Sequence, residues 1–195
     1  MGAYPEEATL ALRLHQGRTD ETEKILAARD GDQVAQAWLV RQYTPPVYRF
    51  CFRMLRNEQD ARDATQDTLM KVMRNLDRFN PKLRFSTWVF GIARNTCIDE
   101  YRRRKRLVNL PAERDVVDGG PSPLDEASRA HRAERLHEAL EKLPDMYREI
   151  LVLYHFEHLK YSEIADVLNI PMGTVMNRIF RARRRLRKLY GEESP

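Results

Sequence analysis

Three carboxylates, Asp60, Asp63 and Asp67, fall at i, i+3 and i+7, a spacing that gathers them on one face of a helix. Such a set could collect a divalent ion for phosphodiester cleavage. Arg62 and Lys71 stand among them, however, and with the adjacent Gln66 the face reads as a docking surface or a solvated helix side. His155 and His158, three apart, have the spacing of a metal pair. No cysteine or third histidine lies nearby, and His131 and His137 fall in another predicted helix, so no metal site is expected. No phosphate loop, nucleophile motif or catalytic carboxylate pair with a matching base occurs. The sequence is therefore read as a non-enzyme without a cofactor.

The stronger signal is basic. From Gly173 to Tyr190 there are seven basic residues and no acid, and Arg102, Arg103, Arg104, Lys105 and Arg106 form a second block. The whole chain carries a formal charge of only +5, so these clusters suggest two polyanion contacts rather than a uniformly basic surface. Within the first cluster Val175, Ile179, Ala182, Leu186 and Leu189 recur at helical spacing and form one apolar stripe. Thr174, Asn177, Arg178, Arg181, Arg184, Arg185 and Lys188 fall on the other side. A helix fits the major groove, where Asn and Arg can pair bidentately with adenine and guanine edges. The early residues Thr174, Asn177, Arg178 and Arg181 are placed to enter the groove, and Arg184, Arg185 and Lys188 to hold phosphates. Upstream, Ile164, Ala165 and Leu168 make a shorter stripe, the turn Asn169-Ile170 follows, and Pro171 suits a first helical position. A short helix, a tight turn and a longer basic helix make a helix-turn-helix for duplex DNA.

The elements that must carry these residues are helical throughout; strand-like alternation is absent. The pattern predicts a helix over 24–43 broken near Gly31, punctuation at Pro45-Pro46, and helices over 47–55, 59–79 and 86–106. Residues 107–130 then carry Pro111, Gly119, Gly120, Pro121 and Pro123, with five acids against two arginines. They read as an acidic, flexible linker. Helices over 131–143, 144–158, 162–168 and 171–190 follow. The expected fold is all-α: two small helical domains, 24–106 and 131–195, with the linker between them and residues 1–23 as an N-terminal extension without a clear pattern. No apolar run approaches the ~20 residues that cross a bilayer, and the N-terminus lacks a signal-peptide core, so a cytoplasmic protein without membrane insertion is expected. Cys51 and Cys97 lie in apolar stretches and read as reduced core residues.

Several segments resemble one family. Residues 159–183 look like region 4 of bacterial extracytoplasmic-function sigma factors, of the sigma-70 family, and 140–151 resemble the helix before it. Residues 60–69 resemble the family's polymerase-binding helix, and 85–99 its promoter-melting segment. The resemblance covers about Lys24 to Tyr190. It implies a dissociable subunit of RNA polymerase whose region 2 serves the −10 promoter element and whose region 4 helix-turn-helix serves the −35 element. Core polymerase, through the clamp coiled coil of its largest subunit and its flap, and promoter DNA are the implied partners, together with an anti-sigma factor. Asp60, Asp63, Gln66 and Asp67 match the polymerase-binding face, although Arg62 stands where the family usually has an acid. Asn80, Lys82 and Arg84 lie in the loop that captures a flipped −10 base, with Phe79, Phe85, Trp88 and Phe90 near enough to stack. Asn95, Asp99, Arg102 and Arg103 continue the −10 surface, while Gly91 and Met176 replace basic residues common in the family. The competing readings are a stand-alone helix-turn-helix regulator and, third, an enzyme acting on DNA.

Overall fold

The computed structural model describes residues 20–81, 83–107, 135–136 and 138–192, and every regular element among them is helical. The residues expected to form the linker and most of the N-terminal extension lie outside that set. Helix α1 covers 20–29 and α2 is Gln33–Leu55. Between them Gly31 sits at φ +96°, where an L side chain is strained. Asp32 caps α2, its carboxylate accepting from the amides of Val34 and Ala35 at 2.8 and 3.0 Å.

Pro45-Pro46 does not break the chain as the sequence suggests: α2 runs through both. Tyr43, Val47 and Phe50 are buried on either side and hold the two halves in one line, while Pro45 is exposed. The prolines remove the amides that would meet the carbonyls of Arg41 and Gln42, which are themselves exposed, and Thr44 donates its hydroxyl to the Val40 carbonyl at 2.6 Å. Tertiary burial outweighs the local cost of the prolines here.

Helix α3 is Glu58–Arg74, capped by Asn57, whose side chain accepts from the Asp60 amide at 2.9 Å. It stops short of the predicted end. Asn75 turns its amide back to the Lys71 carbonyl, and a 3-10 turn, Leu76–Arg78, lets Leu76 and Phe79 both reach the core. Helix α4 is Phe85–Leu107. Leu39, Phe50, Val72, Val89 and Ala93 are among the residues sealed between α2, α3 and α4. Cys51 and Cys97 meet there as free, buried thiols; their hydrogen bond and burial push the Cys97 thiol far above its ordinary range.

In the C-terminal unit 135–136 and 138–141 are helical (α5), and α6 is Asp145–Leu151. The long helix expected over 144–158 is interrupted: at Val152–Phe156 it widens into a π-helical turn, and His158 leaves it at φ 53°. The wider turn keeps Val152 and Leu153 inside. Helix α7 is Tyr161–Leu168 and α8 is Met172–Glu192. Asn169 joins them in the left-handed region at φ 51°, which Asn tolerates better than most residues. The two units touch, α4 lying on α7 and α2 meeting α6. No helix of the described residues is long and apolar enough to cross a membrane.

Candidate nucleic-acid interface

The predicted apolar stripe of α8 is the buried one: Val175, Ile179 and Ala182 are at most 2% exposed and pack with Ile164 and Leu168 of α7 and Ile150 of α6. Burying that stripe turns the opposite side outward. Asn177, Arg181, Arg184, Arg185 and Lys188 are exposed, while Thr174 and Arg178 are half-buried. Burial raises the Glu149 pKa against the opposing pull of Arg94 and, after it, Arg178, whereas Arg185 sits with its guanidinium 5.1 Å from the Tyr147 ring centre. The side chains predicted to read DNA are thus brought onto one surface.

Sequence reasoning missed a second feature of that surface. Met172, Met176 and Phe180, at i, i+4 and i+8, are 53%, 51% and 68% exposed. Three large apolar groups stand in water beside Asn177 and Arg181. Their spacing was legible, but periodicity alone would assign an apolar stripe to the core.

Among the described residues, no group of three or more His, Cys, Asp or Glu side chains gathers around the histidine pair. Arg183 donates to His155 Nε2 at 3.3 Å, and burial together with the charges of Arg183 and His158 lowers the His155 pKa. Neutral His155 serves as an acceptor.

On the N-terminal unit, Asn80 is exposed and its carbonyl accepts from the Leu83 amide at 3.0 Å; Lys82 lies outside the described residues. Of the four aromatics near enough to stack on a base, three belong to the core: Phe79, Phe85 and Phe90 are 6%, 3% and 3% exposed. Trp88 is half-buried, its ring centre 5.5 Å from those of both Phe79 and Phe85. Asn95, Asp99, Arg102 and Arg103 are exposed on α4. The basic block is not uniform. Arg103 pairs with Glu100 at 2.7 Å, and Arg104 turns inward to Asp60 at 2.7 Å.

That last contact divides the predicted acidic face. Burial raises the Asp60 pKa against the pull of Arg104, and Asp60 is committed to α4. Asp63, Gln66 and Asp67 remain exposed, Asp67 paired with Lys71 at 2.7 Å. Beside them an apolar groove opens between α2 and α3, lined by Val40, Tyr48, Gln66, Leu69, Met70 and Met73. Gln66 was expected on the docking face, but nothing in the sequence distinguished the apolar groove residues from core.

Known proteins resemble the chain along most of its length. Residues 39–107 match the model of Sigma-70 region 2, and residues 133–186 that of Sigma-70, region 4. The ECF RNA polymerase sigma factor SigW of Bacillus subtilis is 36% identical over 176 residues, covering 85% of this chain and 94% of its own. SigM of the same organism is 33% identical, covering 78% and 93%. Among solved structures, CnrH in complex with the cytosolic domain of CnrY is 28% identical, with a TM-score of 0.67 over 89% of this chain and 99% of that one. RpoE from Bartonella quintana, in complex with the anti-sigma factor NepR, is 26% identical, with a TM-score of 0.66 over 80% and 95%.

Proposed function

The chain belongs to the extracytoplasmic-function sigma factors of the sigma-70 family, and from that premise we propose a division of labour among its surfaces. Its function is to direct core RNA polymerase to promoters and help open them for initiation. Matches to region 2 and region 4 in one chain set aside the stand-alone regulator, which needs no polymerase-binding unit.

In the proposed division, α8 enters the major groove of the −35 element. Asn177 and Arg181 read base edges there, with Thr174 and Arg178 beside them, and Arg184, Arg185 and Lys188 hold phosphates. Met176 and Phe180 lie against thymine methyl groups, which are the apolar feature a major groove offers. Asn80, Lys82, Arg84 and Trp88 receive an unpaired −10 base, while Asn95, Asp99, Arg102 and Arg103 line the strand. Asp63, Gln66 and Asp67, with the apolar groove next to them, dock on the polymerase clamp, and Asp60 supports that face from behind through Arg104. The chain does no chemistry of its own, since polymerase makes the RNA, and it works in the cytoplasm where polymerase and promoters are. Both structural relatives were captured with a protein bound, one of them a named anti-sigma factor, which supports an anti-sigma protein as a further partner.

The observation that carries the reading is the cation-rich outer side of α8, acid-free from Gly173 to Tyr190 and set on a buried stripe, in a chain that also matches region 2. The test is co-migration with bacterial core polymerase followed by transcription from a promoter library. Asp63→Lys with Asp67→Lys is expected to abolish assembly at an unchanged melting temperature. Normal assembly would overturn the docking assignment.

A further inference from the structure

The sulfur atoms of the described residues divide by chemistry. Both thiols are sealed in the core: Cys51 and Cys97 are free and at most 2% exposed. Four of the thioethers stand in water instead. Met70, Met146, Met172 and Met176 are between 42% and 53% exposed. A thiol reacts with an oxidant as its thiolate, and burial together with the neighbouring Cys51 keeps Cys97 protonated. A thioether has no proton to lose, so its exposure governs whether it reacts. An oxidant in solution therefore meets methionine before cysteine.

Three of the four exposed thioethers lie on surfaces that the proposed function uses. Met70 lines the apolar groove between α2 and α3 together with Val40, Tyr48 and Gln66, and the half-buried Met73 follows one turn along α3. Met172 and Met176 stand one turn apart on α8, beside the side chains assigned to base edges. Met146 lies on α6 and belongs to neither surface, which makes it an internal control. Leucine at any of these positions would supply a similar apolar contact. Methionine adds a group that can be made polar and then restored.

We propose that Met70, Met172 and Met176 are oxidation sites at which an oxygen-donating oxidant of the hypochlorous acid class lowers polymerase docking and −35 binding while the buried thiols stay reduced. The proposal rests on the sigma-factor reading of both surfaces. In the step, the thioether sulfur gives up an electron pair and forms a bond to oxygen. The oxygen–chlorine bond of hypochlorous acid breaks, chloride and a proton leave, and one oxidant molecule is consumed per sulfoxide. The sulfoxide oxygen is a strong acceptor, and in the free chain water satisfies it. Beneath an apolar partner surface, or against a thymine methyl, it loses that water without gaining a donor. An acceptor left so weakens binding on the order of tenfold.

The test uses the full chain, treated with a few equivalents of hypochlorite, quenched with free methionine and mapped by peptide mass spectrometry. Sulfoxide is expected at Met70, Met146, Met172 and Met176 ahead of the half-buried Met54 and Met73, with both cysteines unmodified and the melting temperature unchanged. Affinity for core polymerase should fall about tenfold, and so should affinity for a −35 duplex measured at saturating core. Methionine sulfoxide reductase should return both. Each variant is compared with itself before and after oxidation, and leucine swaps conserve volume, so the fold is kept. Met70→Leu with Met73→Leu should remove the loss in assembly. Met172→Leu with Met176→Leu should remove the loss at the −35 element, and Met146→Leu should protect neither. Cysteine oxidation ahead of methionine, sulfoxides without loss of binding, or losses that persist in the leucine variants would overturn the proposal alone. An untreated chain that fails to assemble with core from its own source would overturn the sigma reading, and the proposal with it.

Discussion

Arg181 and Lys188 are both exposed on α8, and the proposed division of labour gives them different demands on DNA. A guanidinium in the groove pairs with a particular base edge, so Arg181→Ala is expected to cost about 1–3 kcal/mol at one −35 position and relax preference there. Lys188→Ala should weaken all promoters alike and reduce the slope of log affinity against log salt by about one. Competition assays on a randomised −35 library, repeated at several salt concentrations with the assembled enzyme, separate the two behaviours. Replacing thymine by uracil in the −35 element removes only the methyl group. If Met176 and Phe180 lie where proposed, the uracil promoter binds several-fold more weakly, and a Met176→Ala enzyme no longer distinguishes the two. Glu157 sets a different expectation. Burial raises its carboxyl to about 7, against the opposing pull of Arg53 and Arg49. A carboxyl that holds its proton more tightly when folded adds stability below the ordinary carboxylate range and loses it as pH rises through about 7. The melting temperature should therefore fall between about pH 5 and pH 7 more steeply in the wild type than in Glu157→Gln.

Elements differ in how much of their form is local. The stripe and outer side of α8 were readable because a 3.6-residue period needs only the helix itself, and Asn169 and Pro171 punctuate its start. The continuous α2, the 3-10 turn after α3 and the π-helical turn after α6 were not. Each is settled by which distant side chains must be buried: Tyr43 and Val47 across the prolines, Leu76 and Phe79 at the turn, Val152 and Leu153 in the wide loop. Burial also moved Phe79, Phe85 and Phe90 from candidate stacking groups to core, a distinction that spacing cannot make. Gly91 gives a prediction at this scale. It lies inside α4 without positive φ, and an added Cβ would meet nothing within 4 Å. Gly91→Ala should stabilise the protein by about 1 kcal/mol, since the helical conformation suits alanine better. Gly31 also has space around it but sits at φ +96°, so Gly31→Ala should destabilise by a similar amount. Thermal melts of the two variants, measured side by side, check both signs.

For the whole molecule, the polar contacts that join the units, from Arg94–Glu149 to Arg53–Glu157, link residues 55 to 104 positions apart, and no window of sequence announces such pairs. The two promoter-reading units were legible as separate helical patterns; their mutual packing was not. The two tryptophans fall one to a setting. Trp38 lies beneath the Lys24 ammonium, 4.5 Å from its ring centre, next to the helix that covers the start of the core. Trp88 is wedged against Phe79 and Phe85 at the proposed −10 surface and is half-buried. The chain thus carries its own pair of optical reporters. With Trp38→Phe, the remaining emission comes from the wedge alone, and a nucleobase seated against it would quench that light as the promoter melts. With Trp88→Phe, emission follows only the fastening of α1 to the core. Promoter opening and loosening of the N-terminal helix could then be timed separately in one transcription reaction, without attaching any dye.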